Sequence, residues 1–139
     1  MAQTFHLQHR GRAQYTLVRA RPAPEKPEIK RVILGPNAPA GELLQLIVPG
    51  GWWKASELLA EDLGTGEEPA CLISEVVCVL SHFPSASSSL TSTGTLPHRT
   101  PGFAWEDHGF LTQAQLLNDV FHGDESDPDY QRLRAYVKE

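Results

Sequence analysis

Cysteine is scarce in this chain. Cys71 and Cys78 are too few for a disulfide scaffold. They lie seven residues apart, in or beside an apolar run, so a straight strand would turn them to opposite faces. Two buried thiols are expected rather than a bridge, and no Cys/His spacing resembles a zinc site. Long hydrophobic runs are also missing, which excludes a membrane-spanning helix of about 20 apolar residues. The N-terminal Met1-Ala2-Gln3-Thr4-Phe5-His6 has no apolar core of a signal peptide. A soluble, reduced, cytoplasmic protein is the expectation. Positive charge is short as well: 12 Lys and Arg stand against 17 Asp and Glu, for a net charge of -5. That balance argues against a nucleic-acid partner, whose phosphates are held by clustered cations. No glycine-rich nucleotide fingerprint and no nucleophile elbow is present.

What remains is an ordinary globular composition, 40% apolar and 21% charged, in 139 residues, enough for one domain with a modest core. The centre of the chain is Gly41 to Ser56. The apolar run Leu43 to Val48 is short, rich in branched residues and bounded by turn residues, as a buried strand is. Pro49-Gly50-Gly51 stops it, since proline has no N–H to give and glycine adopts positive φ freely. Trp52 and Trp53 then open a second strand to Leu58. Phe5 to His9 and Ala13 to Val18 alternate around Arg10-Gly11-Arg12, which predicts a β-hairpin with Phe5, Leu7 and His9 on one face and His6 and Gln8 on the other. A proline-rich loop over 21–28 precedes a strand from Ile29 to Leu34. The apolar run Ala70 to Leu80 predicts a central strand that carries one acid, Glu75. A buried carboxylate needs a partner or takes up a proton; the bland alternative turns Glu75 outward at a strand edge.

Residues 81–100 are Ser- and Thr-rich and read as a long loop. Aromatic alternation returns at Phe103 and Trp105, followed by Glu106, Asp107 and His108. Thr112 with Gln115 forms a capping-box pattern that opens a helix over 113–121, and Asp127-Pro128 opens a second over 129–138. The pattern predicts six or seven strands and then two short helices: an all-β fold with a helical tail.

The order of segments carries a family likeness. His9 to Val18, Val32 to Asn37, Gly41 to Ser56, Leu72 to Val77 and Pro101 to Thr112 together resemble the cupin 5 group, a cupin family first catalogued as a domain of unknown function, and in particular its fungal-type members. The resemblance implies a cupin-type jelly-roll, or double-stranded β-helix, usually dimeric, with a small-molecule pocket inside the barrel. Residues 1–139 would form a single cupin domain, with 112–139 as its helical tail. Two departures stand out. The family carries a long N-terminal half ahead of the His6–Val18 segment, so the barrel here is expected to be partial unless a partner chain supplies strands. Residues 78–100 are an insert relative to the family pattern, with the look of translated non-coding sequence.

Many cupins hold a metal through a His-x-His and Glu motif and a later Pro-x-Gly-x-x-His. Here Lys54 stands where that last histidine would be, and an ammonium has no lone pair for a metal. No metal and no cofactor is expected. The chemistry then falls to acid–base groups, of which His9, Tyr15, Glu75 and His108 are the catalytic candidates. Arg12, Trp52, Trp53, Lys54, Phe103 and Trp105 are the ligand-binding candidates. The bland reading makes the tryptophans a core lid and Arg12 a solvated or structural ion pair. The first functional reading is a metal-independent isomerase, epimerase or cyclase acting on a small organic substrate. The second is a non-catalytic ligand-binding or storage-like cupin, and the third a truncated, inactive isoform. A homodimer is the expected assembly.

Overall fold

The computed structural model describes residues 3–63, 69–78, 109–137 and 139. Six strands are found there: β1 (Gln3–Arg10), β2 (Ala13–Arg19), β3 (Glu28–Leu34), β4 (Gln45–Val48), β5 (Trp53–Glu57) and β6 (Leu72–Cys78). They form two antiparallel three-stranded sheets, ordered β4-β1-β6 and β3-β2-β5. The C-terminal part holds a helix α1 (Gln113–Gln115) that continues as a π-helical turn over Leu116–Val120, and a helix α2 (Pro128–Leu133) extended by a 3-10 turn over Arg134–Tyr136. This is the all-β fold with a helical tail that the alternation predicts, and the jelly-roll resemblance accords with its two sheets. Among the described residues no helix is long and apolar enough to cross a membrane.

The expected hairpin of β1 and β2 does not form. β1 pairs with β4 and β6, whereas β2 pairs with β3 and β5. The turn between them passes the chain from one sheet to the other. Gly11 makes the passage: its φ is +73°, and a β-carbon there would run into the Ala70 carbonyl. Local alternation and a turn glycine identify two strands, but they do not say whether the strands pair. The same crossing recurs at Pro49-Gly50-Gly51, between β4 of one sheet and β5 of the other, with Gly51 at φ +85°. The expectation of a central β6 is likewise corrected. Among the described strands β6 lies at a sheet edge, and Leu72 and Val76 are exposed.

The two sheets face each other across a core of Ala13, Tyr15, Leu17, Leu34, Leu46 and Val48, with Val32, Trp52, Cys71 and Ile73 against it. A second core lies behind β2, where Val18 packs on Leu116, Val120, Phe121, Tyr130 and Leu133 of the helical tail. Each fully buried side chain of this size contributes about 1.5–3 kcal/mol through removal from water. β2 is therefore buried on both faces from Tyr15 to Val18. The helices start where their caps allow. Gln115 N–H donates to the Thr112 hydroxyl at 3.2 Å and Thr112 N–H donates to Gln115 Oε1 at 3.1 Å, a reciprocal capping box. Asp127 caps α2 by accepting from Asp129 N–H at 2.9 Å, and Lys26 bonds its other oxygen at 2.9 Å.

Candidate functional site

Strand register brings four polar side chains together between the sheets. In the first sheet His6 of β1 sits directly opposite Glu75 of β6. In the second, Tyr15 and Leu17 share the inward face of β2, and Lys54 of β5 lies opposite Leu17. Facing one another across the core, they form one cluster. Lys54 Nζ donates to His6 Nε2 at 2.9 Å and also bonds the Glu75 carboxylate. Tyr15 Oη lies 3.3 Å from His6 Nδ1, and Thr4 Oγ1 lies 3.2 Å from Nε2. The His6 and Tyr15 rings meet edge to face at 5.2 Å.

Donor chemistry fixes the protonation pattern. An ammonium can only donate, so His6 Nε2 accepts; the proton of the neutral ring then sits on Nδ1 and donates to the Tyr15 oxygen. His6 is 1% exposed. Burial, with the Lys54 charge adding to it, lowers its pKa below 6.5, while Glu75 opposes the shift. Burial also pushes the Tyr15 phenol up to about 12, so it stays a donor at neutral pH. Lys54 and Glu75 keep 31% exposed side chains, which lets a pair of charges stand at the rim of an apolar interior. A cleft of about 200 Å³ opens beside Tyr15, lined by Ala13, Ser56, Cys71 and Ile73 among others.

The remaining sequence candidates fall elsewhere. His9 lies at the β1 irregularity, exposed and bonded to Ser74 Oγ at 2.7 Å, so it is not brought to the cluster. Arg12 is not open to an anionic ligand. Its guanidinium donates to Glu42 at 3.0 Å, to Glu61 at 2.5 Å and to both oxygens of Asp62 at 2.6 and 3.1 Å. It clasps two loops, and Asp62 is held below the usual carboxylate range chiefly by this bond. Glu42 is lowered first by the Asn37 N–H at 2.8 Å and next by Arg12. The two tryptophans part company as strand alternation requires. Trp52 stays against the inter-sheet core, with Arg19 and Lys30 over its ring at 5.0 and 4.7 Å. Trp53 turns to the helical layer. Phe103, Trp105 and His108 lie outside the described residues, as does the expected 78–100 insert beyond Cys78.

His6 is the functional residue that the sequence candidates omit; alternation places it only on the face of the first strand opposite His9. The alternation that separates His6 from His9 is the signal that could have found it. The donor set does not fit a metal: among the described residues no three His, Cys, Asp or Glu side chains converge on one point, and the His6 lone pair is taken by an ammonium.

Comparison with known proteins agrees with this architecture. A family profile described as the Cupin superfamily (DUF985) matches residues 1–111. The "Uncharacterized protein YML079W" of Saccharomyces cerevisiae is 36% identical over 108 residues, which cover 77% of this chain and 38% of the yeast protein. The matched region thus spans well under half the length of that relative. Two facing antiparallel sheets, a polar cluster between them and the family match together place the chain in the cupin superfamily.

Proposed function

We propose that this chain binds a small organic molecule between its two sheets and that His6, Tyr15, Lys54 and Glu75 supply its polar contacts without a metal. The observation that carries this reading is the 2.9 Å bond from Lys54 to a buried, neutral His6, with Glu75 and Tyr15 completing the cluster beside a cleft. In the catalytic form of the proposal, Lys54 turns its ammonium to a ligand oxygen. That motion frees the Nε2 lone pair. His6 then takes a proton from the ligand and Lys54 stabilises the oxyanion that forms; the proton returns to a neighbouring atom in an isomerase, or to the opposite face of the same carbon in an epimerase. This is isomerase, epimerase or cyclase chemistry. One feature favours the non-catalytic binder as the second reading: the lone pair is occupied by Lys54 in the free protein.

A homodimer belongs to the same proposal. It is supported by the outward face of β4-β1-β6, where Leu7, Ile47, Leu72 and Val76 are exposed together and no described element packs on them. Both cysteines are free, which accords with the cytoplasmic setting proposed. The test is saturation-transfer NMR against a panel of small sugars, keto acids and hydroxy acids, with Lys54→Met and Tyr15→Phe as controls. Saturable binding that both variants weaken is the expected result. A hit unaffected by either variant, or no hit from the panel, counts against the reading. Proton–deuterium exchange at carbon in a bound hit separates the enzyme from the binder.

A further inference from the structure

A second cavity does not coincide with the His6 cluster. It lies on the opposite face of sheet β3-β2-β5, beneath the helical tail, and its volume is about 290 Å³. Val18, Trp53, Leu116, Leu133 and Val137 give it an apolar wall. Its polar groups are few, and their commitments define what it can hold. The Tyr136 hydroxyl already donates to Glu57 Oε2 at 2.6 Å. The Lys54 ammonium is spent on His6 and Glu75 on the other side of the sheet. Thr16 is different. It lines the cavity, is 5% exposed, and its hydroxyl has no hydrogen-bond partner among the described residues. A buried hydroxyl without a partner forgoes the bond it makes in water, so a ligand that supplies one gains at this point.

We propose that this cavity is a second binding site, for a small uncharged ring compound whose single hydroxyl or carbonyl group bonds Thr16. The apolar wall and the indole of Trp53 suit a flat hydrocarbon body. A charged ligand would find no free counter-charge in the described lining, because its one cation, Lys54, is already paired. The site lies on the other face of β2 and β5 from the one between the sheets, and Lys54, whose ammonium is held by the inter-sheet cluster, borders both.

The experiment uses the full chain, with 1-naphthol as probe and 1-methylnaphthalene as its counterpart without a hydroxyl, by ligand-detected NMR and calorimetry. Saturable one-to-one binding of 1-naphthol is expected. Thr16→Val weakens it about five- to tenfold, the worth of one hydrogen bond, and leaves 1-methylnaphthalene unchanged. Ala55→Leu, which fills the cavity from β5, abolishes binding of both; thermal melts establish that the variant folds, and Leu133→Phe replaces it if it does not. Glu75→Gln alters the inter-sheet cluster and leaves both affinities unchanged. Absence of saturable binding to the unaltered chain overturns the proposal. So does binding that survives Thr16→Val and the filled cavity unaltered, or that disappears in Glu75→Gln.

Discussion

On one face of β2, Tyr15 and Leu17 look toward the sheet β4-β1-β6; on the other, Thr16 and Val18 look toward the helical tail. Both faces are buried, yet their chemistry differs. The inward face carries a histidine, a phenol and an ion pair. The outward face carries a hydrocarbon layer and one hydroxyl. Solvent access accounts for the difference. Lys54 and Glu75 stand where water still reaches them and neutralise one another, so charge is tolerated beside the inter-sheet core. Behind β2 the helices bury an apolar layer and leave a partly open cavity, and charges of the tail stay at its edge, as with Arg31 and Asp129. Successive residues of one strand thus serve two unlike environments.

The largest effect that separates the two faces should come from their packing. Leu116→Ala, at a position 1% exposed, is expected to cost about 2–5 kcal/mol in urea unfolding while His6 keeps its lowered pKa. Loss of the His6 environment in that variant would show that the faces are one unit. Next in size is Tyr15→Phe. It strips the partner from the His6 Nδ1–H and should cost about 1–2 kcal/mol, read in the same denaturant titration.

A third distinction is pH. His6 has a folded pKa below 6.5, so the unfolded chain binds a proton that the folded chain refuses, and stability falls as pH drops through 6.5. Lys54→Met removes one of the two causes of that lowering and leaves Glu75, so the fall should be shallower in melts between pH 5 and about 8. An unchanged slope would detach Lys54 from His6. The smallest effect is expected at Thr16→Val, which replaces an unpartnered hydroxyl by a methyl of like shape. Stability should stay level or rise by at most about 1 kcal/mol, and a clear loss would mean that the hydroxyl has a partner.

Much of this could be read from the residues. Period-two alternation located six strands, and Thr112 with Gln115 announced the helix they cap. Glu75 does find a partner, Lys54, but on an exposed edge strand rather than inside a buried run. Pairing was less legible. Gly11 marks a turn in sequence, but its close approach to the Ala70 carbonyl and the passage of the chain from one sheet to the other are tertiary facts. His9 was preferred to His6 because either face of an alternating strand can be the inner one until a second sheet covers it. Arg12 appeared open to an anion because Glu42, Glu61 and Asp62 lie 30 to 50 residues away in the chain. The cavity behind β2 had no signature at all, since Thr16 in a strand is an ordinary residue and the helices that cover it come about a hundred positions later.

The central claim is that a neutral His6, buried between the sheets, accepts from Lys54. Long-range proton–nitrogen correlation spectra of the ¹⁵N-labelled chain test it most directly, with the His6 signals assigned through His6→Gln and followed from pH 8 down to about 4. Nδ1 protonated and Nε2 bare, with titration below pH 6.5, is the predicted result, and the titration moves upward in Lys54→Met. A His6 ring that is protonated on Nε2, or that titrates at or above 6.5 with Lys54 in place, would contradict the account.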